Sequence, residues 1–366
     1  MSLLSHALLA ALGAAAVCAV AATVLLWPRL AGRGVPAYVG RLVAVLICQL
    51  LAIVVAALAI NQHFDFYASW SELFPSTSNS QAAAVPLTTM GPKAKAQRAD
   101  AVPNARVAVP DRRPGQVIPI RVTGVGGLSE GGFAYLPPQY SEPAHRAERF
   151  PVVLVLAGYP GHVSTLVNRL EVPSQMNRQV AAGTVHPMIM ILVSPTVARP
   201  RDTECADVPG GPQVETYLSR DVPHWVDTHL RTNGRWAVLG VSTGGYCATK
   251  LATRHPDVFP ASVSMSGYIH PLEDSTTGEL YGHNANLRNQ SDAIWVMRHR
   301  PAPRVDYLMT ASRTERQVYP QLKEFASVVH PPATLTTLLE PRGGHNFGVW
   351  VKELPTCLQW LSARLA

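Results

Sequence analysis

Residues 7–27 are almost unbroken alanine, valine and leucine without a charge, and residues 42–60 form a second apolar run with Gln49 as its strongly polar member. At about 1.5 Å of rise per helical residue, either run can cross a hydrocarbon core of roughly 30 Å. Between them, residues 28–40 hold Arg29 and Arg33, with Arg41 at the edge. The positive-inside rule assigns this short basic loop to the cytoplasm, so the amino terminus and everything after residue 60 are expected outside. The competing reading is a signal peptide. The opening MSLLSH lacks a basic region, although an A-x-A pattern does occur, and the second run favours a two-span anchor over residues 1–62.

Residues 63–116 change character. Phe64, Phe66, Tyr67 and Trp70 suit a membrane-interface belt, or equally an aromatic patch docking on a soluble domain. Residues 76–116 are rich in Ser, Ala, Pro, Lys and Arg with little periodicity, which predicts a largely irregular tether.

From residue 117 onward the pattern is that of a folded domain. Residues 117–122 and 132–136 read as early strands. PVVLVL at 151–156 and MIMILV at 188–193 are continuous apolar runs, as expected of strands buried on both faces. Further strands are expected at 236–239, 261–265, 305–309 and 334–339, and helices at 213–229, 245–254, 311–328 and 347–365. Strands alternating with helices predict an α/β domain over residues 117–366, with a mainly parallel central sheet and helices on both faces.

Composition refines this reading without redirecting it. Charged residues make up only 15% of the chain. The net charge is +7, but the Lys and Arg are scattered and do not interleave with aromatics, so no nucleic acid partner is expected. A basic balance beside an anchor suits an anionic membrane surface. The five cysteines show no zinc spacing, and no metal or cofactor is expected.

The chemistry centres on Trp236-Ala-Val-Leu-Gly240-Val241-Ser242-Thr243-Gly244-Gly245. A short apolar strand runs into Gly-x-Ser-x-Gly and a helix pattern follows, which is the context of a nucleophile elbow. Such a turn is tight, so the residues two before and two after the serine must be small. It lifts the hydroxyl above the sheet and sets the next backbone N–H groups at a helix N-terminus, which favours a developing oxyanion. Ser242 is therefore the candidate nucleophile, and a structural Gly-Ser turn is the alternative.

A serine hydroxyl needs a base. His345, in Glu340-Pro-Arg-Gly-Gly344-His345-Asn346 after the last strand, is the candidate. The acid should follow the preceding strand. Glu315 does so and keeps the chain order Ser, acid, His, while Glu324 stands as the rival and Asp306 lies inside the strand. The second oxyanion donor should come from the loop after an earlier central strand. Ala157-Gly158-Tyr159-Pro160-Gly161 fits, with the Tyr159 N–H beside that of Thr243; a plain turn role for Tyr159 is the alternative. Residues 201–211 hold three carboxylates in six positions, match no cation motif, and read as a polar lid or binding loop. Cys205 on that loop could face Cys247, one turn into the helix after Ser242, and form a disulfide outside the cytoplasm; two buried free thiols are the alternative.

Gly240-Val-Ser242-Thr-Gly-Gly245, then His255-Pro256-Asp-Val-Phe259, then Ser264-Met-Ser-Gly267 resemble the esterase D group of α/β-hydrolases, which contains the mycobacterial mycolyltransferases of the antigen 85 complex and the feruloyl esterases. Gly344-His345-Asn346-Phe-Gly-Val-Trp350 is similar to that group's late His-Ser-Trp segment. The resemblance covers about residues 151–365. It implies an α/β-hydrolase fold, no metal, and acyl-ester chemistry through an acyl-serine. Thr243 stands where many members have Met and Asn346 where many have Ser. Ala157-Gly158-Tyr159 replaces the Asp-Gly-Leu of the mycolyltransferases, whose glutamate lies in a helical segment, which keeps Glu324 in play. The two-span anchor also looks like that of actinobacterial membrane-bound esterases.

These observations predict a plasma-membrane protein with two transmembrane helices and an extracytoplasmic catalytic domain that acts on an acyl ester or glycolipid. Water as acyl acceptor makes it a carboxylesterase, and a sugar hydroxyl makes it an acyltransferase. A non-catalytic envelope-binding protein is the third class, which a missing triad member would reveal.

Overall fold

The structure is a computed structural model and describes residues 3, 5–32, 34–64, 67, 70, 88–90 and 114–366. Most of the aromatic segment 63–75 and of the tether 76–116 lies outside the described residues. The chain divides into a first, mainly amino-terminal unit made of Met1–Ser80 and Arg342–Asn346 and a second unit made of Gln81–Pro341 and Phe347–Ala366.

The amino-terminal unit contains two helices, α1 (His6–Leu26) and α2 (Val35–Phe64). With its 3-10 extension to Leu30 the first is 25 residues long, and Val35–Gln62 of the second is 28, so each is long and apolar enough to cross a membrane. A polar contact joins them where Thr23 Oγ1, near the end of α1, lies 3.4 Å from Cys48 Sγ.

The second unit is built on nine strands: β1 (Thr88–Met90), β2 (Gln116–Thr123), β3 (Ser129–Leu136), β4 (Phe150–Leu156), β5 (Ile189–Val193), β6 (Thr232–Val241), β7 (Ala261–Met265), β8 (Asp306–Ser312) and β9 (Thr334–Glu340). They form one sheet in the order β1-β9-β8-β7-β6-β4-β5-β3-β2. The six strands β4 to β9 are parallel to one another, while β3 on β5, β2 on β3 and β1 on β9 are antiparallel. The principal helices are α3 (Val172–Ala181), α4 (Val222–His229), α5 (Thr243–Arg254), α6 (Ala293–His299), α7 (Val318–Val328) and α8 (Phe347–Leu365).

Continuous apolar runs arise because both faces of the sheet are covered. Along β4, Val152, Leu154 and Leu156 point into one core and Val153 and Val155 into the other. The first core is closed by α4, α5, α6 and α7, through residues such as Val222, Leu251, Ile294 and Phe325. The second is closed by α3 and α8, through Met176, Trp350, Leu354 and Leu358. This is the α/β-hydrolase architecture that the sequence predicts.

The stretch expected to be a largely irregular tether holds one short strand, Thr88–Met90, which pairs with β9; three residues are too few to show a period. Two expectations are corrected in detail. The helix expected over 213–229 contains a π turn, Tyr217–Asp221, just before Pro223. Proline has no N–H for the α ladder, and the π turn carries the chain past that gap. Residues 311–312 extend β8 instead of opening a helix, and α7 begins only at Val318. The turn between them carries Glu315.

Candidate active site

The strand order reverses direction around β4. β5 lies on one side of it and β6 on the other, so the connections after β4 and β6 diverge at the carboxyl edge and leave a crevice where α/β sheets bind ligands. Tyr159 follows β4 and Ser242 follows β6.

Ser242 has φ 56° and ψ −124°, a backbone conformation that costs a non-glycine residue of order 1–3 kcal/mol. The turn is fixed from both sides. Its N–H donates to Met265 O at 2.9 Å, and its carbonyl accepts from the N–H groups of Gly245 at 2.8 Å and Tyr246 at 3.0 Å. A Cβ on Gly240 would collide with the Gly244 carbonyl, and one on Gly244 with the Leu156 carbonyl. The two glycines therefore let the strand-to-helix turn close against itself and against β4. Gly158 approaches from the neighbouring loop, where an added Cβ would lie 3.0 Å from the Ser242 Cβ.

Thr243 opens α5, so its N–H is one of the first donors of the helix and has no intrahelical acceptor. The Tyr159 loop is held by its own neighbours. The Tyr159 hydroxyl donates to Pro200 O at 2.7 Å, and Arg199 donates to Pro160 O at 3.1 Å and Gly161 O at 2.9 Å. Two N–H groups, from the β4 and β6 connections, thus lie on the loops flanking the crevice.

Glu315 is 2% exposed. Its Oε2 accepts from the Ser312 N–H at 2.7 Å and the Ser266 hydroxyl at 3.2 Å, and Ser266 Oγ in turn accepts from Trp350 Nε1 at 3.0 Å. Glu315 therefore sits at the carboxyl edge of β8, oriented by β7, β8 and α8. The rival Glu324 lies on α7 with its side chain 36% exposed, and pairs with His270 Nε2 at 3.3 Å and Arg298 at 3.0 Å. His345 lies in the connection that leaves the carboxyl end of β9 at Glu340 and returns to the fold at Phe347. Ser242, Glu315 and His345 thus follow the carboxyl ends of β6, β8 and β9, which run in the same direction.

Cys205 and Cys247 are joined as a disulfide, with Cα atoms 5.9 Å apart. Cys18, Cys48 and Cys357 are free. The 201–211 segment is no lid along its first half: Asp202, Thr203, Glu204, Cys205 and Ala206 are all buried. Its acids find partners in the interior. Asp202 Oδ2 accepts from the Thr243 hydroxyl at 3.2 Å, and Glu204 accepts from the Tyr268 hydroxyl at 2.6 Å and the Leu272 N–H at 3.1 Å. Burial pushes the Glu204 carboxyl up to about 8 and raises that of Asp202. Sequence reading missed this inward turn because carboxylates are ordinarily surface residues. The adjacent cysteine, buried by its pairing, was the available signal.

A further acid was not foreseen. Glu353 on α8 is buried, accepts from the Thr310 hydroxyl at 2.6 Å, and leaves its Oε1 without a partner among the described residues. Burial pushes its carboxyl up to about 8, and the charges of Glu315 and Glu340 add to that. Among the described residues no cluster of His, Cys, Asp and Glu could hold a metal ion.

The family model described as "Putative esterase" matches residues 130–361. An uncharacterised protein of Corynebacterium glutamicum is 26% identical over 276 residues, which cover 69% of this chain and 63% of that protein. The diacylglycerol acyltransferase/mycolyltransferase Ag85B of Mycolicibacterium smegmatis is 33% identical over 81 residues, 20% of this chain and 25% of the relative. The chain therefore spans less than two thirds of the length of these curated relatives. A solved ferulic acid esterase shares the fold, with a TM-score of 0.58 at 19% identity over 69% of this chain and 99% of that one. The family match takes in the strand-to-helix turn at Ser242 and almost all of the parallel sheet, and this chain belongs to the esterase family of α/β-hydrolases that includes the antigen 85-like proteins.

Proposed function

We propose that this chain is a membrane-anchored serine esterase that hydrolyses carboxylic acyl esters through an acyl-serine, with its catalytic domain outside the cytoplasm. Ser242 attacks the ester carbonyl while His345 takes its proton, and Glu315 orients and balances the charged imidazole. The N–H groups of Tyr159 and Thr243 hold the oxyanion. His345 then protonates the leaving alkoxide, and water repeats the sequence on the acyl-enzyme. The observation that carries this reading is the Ser242 backbone, held at φ 56° between β6 and α5 with glycines where side chains would block the turn. Residues strained in this way cluster at reactive sites. Neither step calls for a metal or cofactor. The two long apolar helices support the anchor, and the arginines between them support the outward orientation.

A second reading has a sugar or envelope glycolipid hydroxyl replace water as acyl acceptor. The similarity to a mycolyltransferase over 81 residues favours it. Both readings share the acyl-serine. The test is fluorophosphonate labelling of the detergent-solubilised full chain, with p-nitrophenyl butyrate turnover and product analysis with and without a sugar acceptor. Ser242→Ala should abolish labelling and lower turnover by about 10⁴-fold. Turnover near wild type in that variant would remove the reading, and an acylated sugar among the products would select the transferase.

A further inference from the structure

The segment Asp202–Cys205 is tied to the nucleophile helix at three points of different chemistry. The Thr243 hydroxyl donates to Asp202 Oδ2 at 3.2 Å. Cys247 is bonded to Cys205. The Lys250 ammonium, 1% exposed, donates to the carbonyls of Glu204 at 3.4 Å and Cys205 at 3.2 Å, and pairs with Glu215 at 3.4 Å. Residues 243, 247 and 250 are spaced i, i+4, i+7 and so form one stripe along α5. The segment adopts a conformation that must be held in place, since Glu204 and Cys205 have φ of 45° and 48°. Its other side is also fixed. The Asp202 N–H donates to Thr276 O at 3.0 Å, the Glu204 N–H to Asp202 Oδ1 at 3.0 Å, and the Glu204 carboxyl receives Tyr268 and Leu272. The Tyr268 hydroxyl also lies 3.4 Å from Thr243 Oγ1 and its ring stacks on Tyr246 of α5.

The disulfide and the lysine hold the middle of the helix. Of these three ties, the Asp202 bond is the one that acts on its first residue, Thr243, which the Tyr268 hydroxyl also reaches. We propose that Asp202, through the Thr243 hydroxyl, is a positioning residue that fixes the direction of the Thr243 N–H and so completes the oxyanion site. The first turn of a helix is held by few bonds of its own. A side-chain hydroxyl locked to a buried, multiply bonded carboxyl removes the rotation that would let the first N–H drift. This inference rests on the oxyanion role given to Thr243 above and adds to it a residue 41 positions away in sequence.

The test is a double-mutant cycle on the full chain in detergent: Asp202→Asn, Thr243→Val, the pair, and Thr243→Ser. Active sites are counted by end-point fluorophosphonate labelling, so that unfolded protein does not enter kcat, and peptide mapping confirms the Cys205–Cys247 bond in each variant. Each single variant should lose about tenfold or more in kcat per labelled site, with KM within about twofold, because a misaimed oxyanion donor acts in the transition state. The double variant should be no worse than the poorer single one, and Thr243→Ser, which keeps the hydroxyl, should lose clearly less than Thr243→Val. Unchanged or raised kcat in Asp202→Asn and Thr243→Val, or losses that multiply in the pair, would overturn the proposal. Wild-type protein that neither labels nor turns over would overturn the serine-esterase reading and this inference with it, whereas an active wild type with silent variants would overturn this inference alone.

Discussion

Glu353 should make the stability of this protein fall with pH through the neutral range, and Glu353→Gln should remove that fall. Burial lifts the carboxyl from its ordinary 4.5 to about 8. Between those values the unfolded chain has released the proton and the folded chain still holds it. The group's contribution is therefore fully present below pH 4.5 and is lost as pH rises to about 8. At roughly 1.4 kcal/mol for each unit between the two pKa values, the loss across the window is on the order of 5 kcal/mol. Glutamine keeps an oxygen for the Thr310 hydroxyl but does not titrate. Its amide hydrogens meet no acceptor at the Oε1 position, which costs about 1–3 kcal/mol at every pH. The variant should thus start below wild type near pH 5 and gain at least about 2 kcal/mol on it by pH 8. Glu204 contributes a slope of the same sign to both proteins and cancels from the difference. The assay is denaturant unfolding of the full chain in detergent from pH 5 to 8.5. It can be followed by tryptophan fluorescence, since Trp350 and Trp360 lie on the same helix as Glu353. Stability curves that stay parallel across this range would refute the argument.

Glu315→Gln should reduce ester turnover more than about 100-fold while Glu324→Gln stays within about threefold, and a reversed ranking would move the acid to α7. Reducing the Cys205–Cys247 bond, which closes 42 residues, should lower stability by on the order of 4 kcal/mol and lower turnover with it. Non-reducing peptide mapping of protein from its native host should find the two linked, and recovery of both as free thiols would refute the bridge. An alkaline phosphatase fusion after Pro75 should be active in bacteria and one at Gly34 inactive; the opposite pattern would place the hydrolase inside the cell.

What could be read from the chain, and what could not, divides along physical lines. Ser242 stood out because the elbow needs glycine at fixed offsets, a local constraint written in consecutive residues. The parallel strands β4 and β5 stood out because burial on both faces leaves no polar position. The turn holding Glu315 reads as helix in the sequence, since its order comes from Ser266 and Trp350, which are 49 and 35 positions away in the chain. Asp202 reads as part of a polar lid or binding loop for the same reason: its partner Thr243 is 41 residues distant, and Cys205 is the nearby hint of burial. Glu353 sits in an amphipathic helix at a position where its apolar neighbours, Leu354 and Cys357, were the only hint of burial.

The three residues of β1 have a consequence out of proportion to their number. They cover the outer side of β9 at Leu335, Thr336 and Thr337. A soluble fragment cut to begin at Gln116 would keep every labelled helix of the domain but leave that row of backbone donors and acceptors bare. An uncovered edge is a template for another chain. A fragment that begins at Gln81 should remain monodisperse where the shorter one self-associates, so the stretch that reads as mere tether also guards the sheet against its own kind.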